Sequence, residues 1–130
     1  MEHRHKAREL AFKALYSLEL NKFTYFSDII TIEEDLLNKD INSEFGEELF
    51  NGVKENIPEI DAILKSKLEH WDIERVEKVD LAILRLSIYS LLYLKEIPRN
   101  ITIDEAIKLS KIFSSDKSYM FINGILDSIL

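Results

Sequence analysis

The chain contains no cysteine and only three glycines and two prolines among its 130 residues. Without cysteine it has no disulfides, no thiolate metal ligands and no cysteine nucleophile. The scarcity of glycine and proline disfavours a sheet-rich fold, which needs many tight turns. No apolar run approaches the roughly 20 residues that span a bilayer, and the first residues lack the apolar segment of a secretory signal. These absences predict an intracellular, cytoplasmic protein that makes no contact with membranes.

The composition that remains is typical of a helical globular protein. Hydrophobic residues make up 46% of the chain and charged residues 32%, so a substantial core can lie under a polar surface. The length fits one domain spanning residues 1–130. The softest internal boundary lies near residues 70–75, and the two halves that it divides are too short to be independent domains.

Apolar spacing in the first half of the chain follows the period of an α-helix. It predicts an amphipathic helix from about residue 5 to residue 20, and a second helix of uncertain bounds within residues 21–40. Ser43 is placed to cap a third helix. Pro58 suits the first turn of a fourth, because an N–H in the first turn has no helical partner to lose.

The second half of the chain predicts three further helices, which makes about seven in an all-α fold. Asp72 is placed as a cap, and residues 77–94 are apolar on nearly every face, which indicates a helix in the middle of the molecule. Thr102 and Glu105 have the spacing of a capping box that opens the next helix, which runs to about Phe113. Residues 114–116 are cap-type residues before the last helix.

The distribution of charge distinguishes the N-terminus from the rest. The net charge is −7, and an acidic surface on average repels nucleic acid. The first thirteen residues instead carry four basic side chains against two acidic ones, namely Arg4, Lys6, Arg8 and Lys13 against Glu2 and Glu9. A locally basic helix therefore begins an acidic protein.

Two of these cations are placed where a helix alone does not favour them. Arg4 and Arg8 are four residues apart, on one face, and near the positive end of the helix dipole. Nothing in folding requires that arrangement, and a polyanion such as a nucleic-acid backbone would offset its cost, so such a polyanion is the predicted partner. The alternative is a solvated terminus whose charges only confer solubility.

The last helix carries two unusual residues. Its expected buried stripe consists of Tyr119, Ile122, Leu126 and Ile129. Phe121 lies off that stripe, where an aromatic ring can stack on an unpaired base, although on the residues alone a contact with another helix is favoured. Gly124 lies inside the helix, and close approach of a neighbouring helix is the favoured explanation for it.

Three further residues are open to two interpretations. Tyr16 lies off the apolar stripe of the first helix and is a candidate exposed contact. Asp80 and Arg85 interrupt the most apolar helix, either as an ion pair at a polar edge or with Asp80 as a protein-binding carboxylate. The sequence alone does not choose between these interpretations.

No constellation typical of an enzyme occurs in the sequence. There is no HExxH motif, no glycine-rich phosphate loop and no nucleophile elbow. The adjacent carboxylates Asp104 and Glu105 are explained by helix capping. The chain is therefore expected not to be an enzyme, and to need no cofactor and no metal.

Four blocks of sequence, in order and at suitable spacing, resemble the NusB family of bacterial transcription antitermination factors. They are RHKAREL with ALY at 4–10 and 14–16, VDLAILR at 79–85, IP with IDEAIKLSK at 97–98 and 103–111, and FINGILD at 121–127. Residues 21–40 contribute little to the resemblance, which otherwise covers almost the whole chain.

The resemblance implies a fold, a function and a set of contacts. The fold is a NusB-like bundle of two packed helical sub-bundles. The function is binding the boxA element of nascent ribosomal RNA together with NusE, a small-subunit ribosomal protein, so that RNA polymerase in its antitermination complex reads through terminators. Residues carried over as RNA-binding are Arg4, Lys6, Arg8, Phe113, Lys117 and Phe121. Those carried over to the NusE-facing surface are Tyr16, Glu74 and Asp80.

Three positions depart from the family pattern. The family often has arginine where this chain has His5, an acidic residue where it has Lys117, and lysine where it has Met120. The basic charge expected for phosphate contacts is therefore redistributed along the chain.

Two other interpretations and one question of assembly stay open at this level. NusB-like domains also precede methyltransferase domains in some RNA cytosine methyltransferases, and the sequence ends at Leu130 without a glycine-rich cofactor-binding segment. An accessory RNA-binding domain of such an enzyme is thus one alternative, and a helical protein-interaction scaffold with an acidic surface is another. Some family members self-associate, so a homodimer is also left open.

Overall fold

The computed structural model describes residues 2–20, 25–69 and 72–129. Within these ranges the protein forms seven α-helices and one short 3₁₀ turn, as the all-α prediction expected. The helices are α1 (Glu2–Glu19), α2 (Phe26–Leu37), α3 (Glu44–Glu55), α4 (Ile57–Lys67), α5 (Lys78–Tyr93), α6 (Arg99–Phe113) and α7 (Ser118–Asp127), and the 3₁₀ turn is Ile73–Arg75.

Two predicted helix starts in the first half of the chain are confirmed, whereas α1 begins at Glu2, earlier than the predicted residue 5. Ser43 caps α3, since its hydroxyl oxygen accepts a hydrogen bond from the Gly46 N–H at 3.2 Å. Pro58 lies in the first turn of α4. The uncertain helix within residues 21–40 is α2, which ends at Leu37 and is followed by Asn38, whose φ of 53° is left-handed. Residues 21–24 lie outside the described part of the chain.

Two predicted caps in the second half are wrong. Helix α6 begins at Arg99, directly after Pro98, and the Thr102 N–H already bonds to the Pro98 carbonyl oxygen at 3.3 Å. Thr102 is therefore a buried residue inside the helix, and Glu105 is free of any capping role. Asp72 precedes the 3₁₀ turn rather than α5, and its side chain makes no capping bond. His70 and Trp71, in the predicted boundary region, lie outside the described residues.

Helix α5 lies at the centre of the molecule. Four consecutive side chains, Leu81 to Leu84, are each at most 3% exposed, which requires neighbours on every side of the helix. Those neighbours are α1, α3, α4, α6 and α7. The prediction that residues 77–94 form a central helix is confirmed. One continuous hydrophobic core surrounds it.

Helices α1 to α3 form one packed group, helices α5 to α7 form a second, and α1 joins the two by packing on α5. Close approach within this arrangement depends on two glycines of α3. A Cβ on Gly46 would crowd the Ala7 carbonyl oxygen of α1, and a Cβ on Gly52 would overlap the Tyr89 ring of α5. None of the described helices is long and apolar enough to cross a bilayer.

Candidate nucleic-acid interface

The basic first turns of α1 are held against α3 by an aromatic ring. The guanidinium carbons of Arg4 and Arg8 lie 4.3 Å and 5.6 Å from the centre of the Phe45 ring, at the start of α3. A guanidinium over an aromatic face is attracted by the ring quadrupole. Arg4 remains exposed, whereas Arg8 is only 7% exposed.

A carboxylate of α6 holds the same turns from another side. Glu105 Oε2 lies 2.6 Å from His5 Nδ1, and Glu105 Oε1 lies 3.9 Å from Arg8 Nη1. Burial lowers the pKa of the Arg8 guanidinium, and the charge of Glu105 opposes that shift. Phe45 and Glu105 therefore offset part of the cost of the paired arginines within the fold itself.

On its third side α1 is tied to α2 by a cluster of two lysines and two glutamates. Lys6 Nζ lies 3.1 Å from Glu9 and 3.4 Å from Glu33 of α2, and Lys13 Nζ also contacts both carboxylates. Burial opposes ionisation of Glu9 and Glu33, but hydrogen bonds from the two lysines outweigh it and lower the pKa of both carboxyl groups. The cluster thus exists as ion pairs at neutral pH.

These contacts divide the three predicted phosphate ligands of α1. Arg4 is exposed, Lys6 has 38% of its side chain exposed while paired, and Arg8 is enclosed. The surface that this end of α1 offers to an anion is accordingly narrower than the sequence suggested, and Arg4 is its most accessible cation.

Phe113, at the end of α6, packs against a later turn of α1. Its ring centre is 5.0 Å from that of Phe12 and 5.8 Å from Lys13 Nζ. Because Glu105 meets the first turns of α1 and Phe113 meets a later turn, α1 and α6 run side by side in the same direction. The half-buried ring of Phe113 therefore lies in the same contact between α1 and α6 as Arg8, further along both helices.

Helix α7 forms a second candidate surface with the end of α4. A groove of about 380 Å³ separates them, lined by Lys67, Leu68, Glu69, Met120, Phe121, Gly124, Ile125 and Ser128. Phe121 is half-buried in this groove, and Lys117 is exposed at the start of α7. An ideal Cβ on Gly124 would meet no atom within 4 Å, so the prediction of close helix packing there is wrong.

Asp80 does not lie on an open surface. It is 5% exposed, and its two carboxylate oxygens accept hydrogen bonds from Ser114 and Ser118 at 2.6 Å and 3.0 Å. The carboxylate thus ties α5 to the junction of α6 and α7 and is occupied within the fold. Nor does it pair with Arg85, which binds Asp61 of α4 and Glu19 of α1 instead.

The other two residues predicted for the partner-protein surface differ in exposure. Glu74 is exposed in the 3₁₀ turn between α4 and α5. Tyr16 is half-buried, with its ring stacked on Phe12 at 6.3 Å between centres. Among the residues that the structure describes, neither finds a hydrogen-bond or ion-pair partner for its polar end.

Sequence reasoning missed three residues that shape the basic turns: Phe45, Glu105 and Glu33. The sequence pattern explains Glu105 by helix capping alone. The two acidic residues of the N-terminal segment cannot balance its four cations, and that imbalance was the available signal that distant carboxylates are needed. Which carboxylates supply the balance depends on packing between helices far apart in the chain.

Comparison with known proteins identifies relatives of the whole chain. The model of the NusB family matches residues 5–130. A transcription antitermination protein NusB of Listeria innocua is 42% identical over 126 residues, which cover 97% of this chain and 94% of that protein. The structure of T. maritima NusB superposes with a TM-score of 0.81 and 38% identity, over 95% of this chain and 87% of that one. A chain from a crystal structure of antitermination factors NusB and NusE in complex with double-stranded RNA gives a TM-score of 0.85 and 26% identity, over 98% and 96% of the two chains.

Proposed function

The chain belongs to the NusB family, and from that premise we propose that it binds the boxA element of nascent ribosomal RNA together with NusE. In that complex it promotes read-through of terminators by RNA polymerase. Residues 1–130 act as one RNA-binding domain in this proposal, which the single continuous core supports.

The observation that carries the proposal is the near-complete superposition on a protein solved with NusE and RNA. The local structure supports it, since the basic turns of α1 place the exposed guanidinium of Arg4 at one end of an otherwise acidic protein. Contacts of this kind with phosphates supply the salt-dependent part of RNA affinity.

In the proposed complex the two candidate surfaces have different tasks. Arg4 and Lys6 contact phosphates, and Arg8 acts mainly by holding the first turns of α1 in place. Lys117 adds a cation at the start of α7. The rings of Phe113 and Phe121 contact bases or sugars, since an accessible aromatic face stacks on unpaired bases.

NusE binding is assigned to the surface that contains Tyr16 and Glu74, both of which keep polar atoms available. Asp80 influences that surface indirectly in this proposal, because its carboxylate is occupied by Ser114 and Ser118. An Asp80 substitution would then act through the position of α7 rather than by removing a direct contact.

Titration of fluorescently labelled boxA RNA, with and without NusE and at two salt concentrations, tests the proposal. We expect weak binding by the chain alone, tighter binding with NusE, and a marked loss of affinity at the higher salt concentration. A scrambled RNA of equal length is the matched control. Equal affinity for boxA and scrambled RNA under all conditions would contradict the proposal.

A further inference from the structure

We propose that Glu105 is a positioning residue for RNA binding: its carboxylate holds His5 and Arg8 so that the first turns of α1 present Arg4 to the RNA backbone. The inference rests on the proposed function and deepens it. In this role a negative charge favours the binding of a polyanion, whereas simple electrostatics predicts that it weakens that binding.

The geometry places Glu105 between a histidine and two cations. One oxygen lies 2.6 Å from His5 Nδ1, and the other lies 3.9 Å from Arg8 Nη1 and 3.7 Å from Lys108 Nζ. The side chain is 13% exposed, so solvent screens these contacts less than at an open surface. Two of the partners belong to the first turns of α1, which connects the start of that helix to α6.

The first turns of α1 need such an anchor. Arg4 and Arg8 repel each other, and both face the positive end of the helix dipole. Terminal turns also fray readily, because their first N–H groups lack helical partners. Glu105 fixes Arg8 from the α6 side and Phe45 fixes it from the α3 side, and the same Phe45 ring then carries the exposed Arg4.

Two effects of removing this carboxylate oppose each other. Loss of a negative charge beside a basic turn raises the local positive potential, which on its own strengthens RNA binding. Loss of the anchor frees the turn, so that Arg4 is no longer held towards the RNA and its phosphate contact is lost. The sign of the change in affinity therefore tells positioning from simple electrostatics.

The test compares Glu105→Ala with Asp104→Ala. Asp104 is the exposed neighbour of Glu105 on α6, so both variants lose one negative charge from the same turn. With the boxA RNA and NusE complex, we expect Glu105→Ala to weaken binding about fivefold, since about one ordered side chain is released. Asp104→Ala should leave affinity unchanged or slightly tighter. Equal or tighter binding by Glu105→Ala than by Asp104→Ala would overturn the inference.

A second readout separates positioning from a general loss of fold. If Arg4 is no longer presented, the slope of log affinity against log salt should fall by about 0.7, the value for one phosphate contact on a single strand. An unchanged slope would count against the inference. Should Glu105→Ala fail to fold by circular dichroism, Glu105→Gln replaces it, because it keeps the size of the side chain and removes the charge.

A double-mutant cycle tests the route through Arg8. In an Arg8→Ala background, Glu105→Ala should cost less than in the wild type, because the two residues act together. Additive losses would contradict that route. If the unmodified protein itself does not prefer boxA to scrambled RNA, the proposed function fails, whereas equal effects of the two alanine variants on a specific complex defeat only the role of Glu105.

Discussion

The first turns of α1 and the groove beside α7 are two surfaces on which sequence and structure diverge in opposite directions. In α1, cations for which the sequence predicts a nucleic-acid partner are partly paired within the fold, by Phe45, Glu105 and Glu33. In α7, a glycine that suggested only packing faces open space in a groove next to Phe121. The comparison shows that an unfavourable residue marks function only after its contacts within the fold are known.

The largest expected effect separates the two arginines of α1. Arg8→Ala should lower the free energy of unfolding by about 2 kcal/mol, because it removes an enclosed guanidinium and leaves Glu105 with one partner fewer. Arg4→Ala, on the same helix face but exposed, is the matched control and should change it by less than about 0.5 kcal/mol. Urea denaturation measures both, and equal losses would show that the two arginines are not divided as the structure indicates.

RNA affinity tests the exposed arginine directly. Arg4→Ala is expected to weaken binding of boxA RNA with NusE by about tenfold, since one phosphate contact of about 1–2 kcal/mol is lost. Lys95→Ala removes an exposed cation that follows α5 and serves as the control for net charge. If both variants lose affinity equally, the basic end acts only through its overall charge.

Gly124 offers a way to sharpen the α7 side of the comparison. Gly124→Ala should raise the free energy of unfolding by about 0.5–1 kcal/mol, because alanine favours a helix and its Cβ meets nothing. The same substitution should weaken RNA binding by a few-fold if a base enters the groove against Phe121.

Gly52→Ala is the control for that experiment. An added Cβ would overlap the Tyr89 ring, so Gly52→Ala should lower the free energy of unfolding. Unchanged RNA affinity in a stabilised Gly124→Ala variant would mean that the groove is not part of the RNA site.

The smallest expected effect concerns pH and the lysine–glutamate cluster between α1 and α2. The pKa values of Glu9 and Glu33 are lowered in the fold, so their contribution is present above the ordinary glutamate pKa and is lost as pH falls through the lowered values. Urea midpoints measured from pH 7 down to pH 3 should therefore fall less for Glu33→Gln than for the wild type. If the midpoints of the variant and the wild type fall in parallel, Glu33 does not contribute to the acid sensitivity of the fold.

Local patterns in the sequence predicted those parts of the fold that local physics decides. The apolar run of α5 required a central position, and Ser43 capped α3 as its residue type suggested. The capping box at Thr102 failed because Pro98 opens α6 earlier, with its own carbonyl accepting the first bonds. Helix propensity does not reveal which of two adjacent start signals prevails.

The candidate site was less accessible to sequence reasoning, and the reason is the distance along the chain. His5 and Glu105 are 100 residues apart, and their pairing follows from the packing of α1 beside α6. Asp80 looked like a surface carboxylate, yet two serines of the α6–α7 junction enclose it. The resemblance supplied the list of residues, and the structure divides that list into accessible groups and supporting ones.

The most direct test of the account is to map where RNA touches the protein. The boxA RNA, carrying 5-bromouridine, would be photo-crosslinked to the protein in complex with NusE, and the crosslinked peptides would be identified by mass spectrometry. The account predicts crosslinks at the first turns of α1 around Arg4 and at the α7 groove around Phe121, with scrambled RNA giving few. Crosslinks confined to surfaces outside these two regions would contradict it.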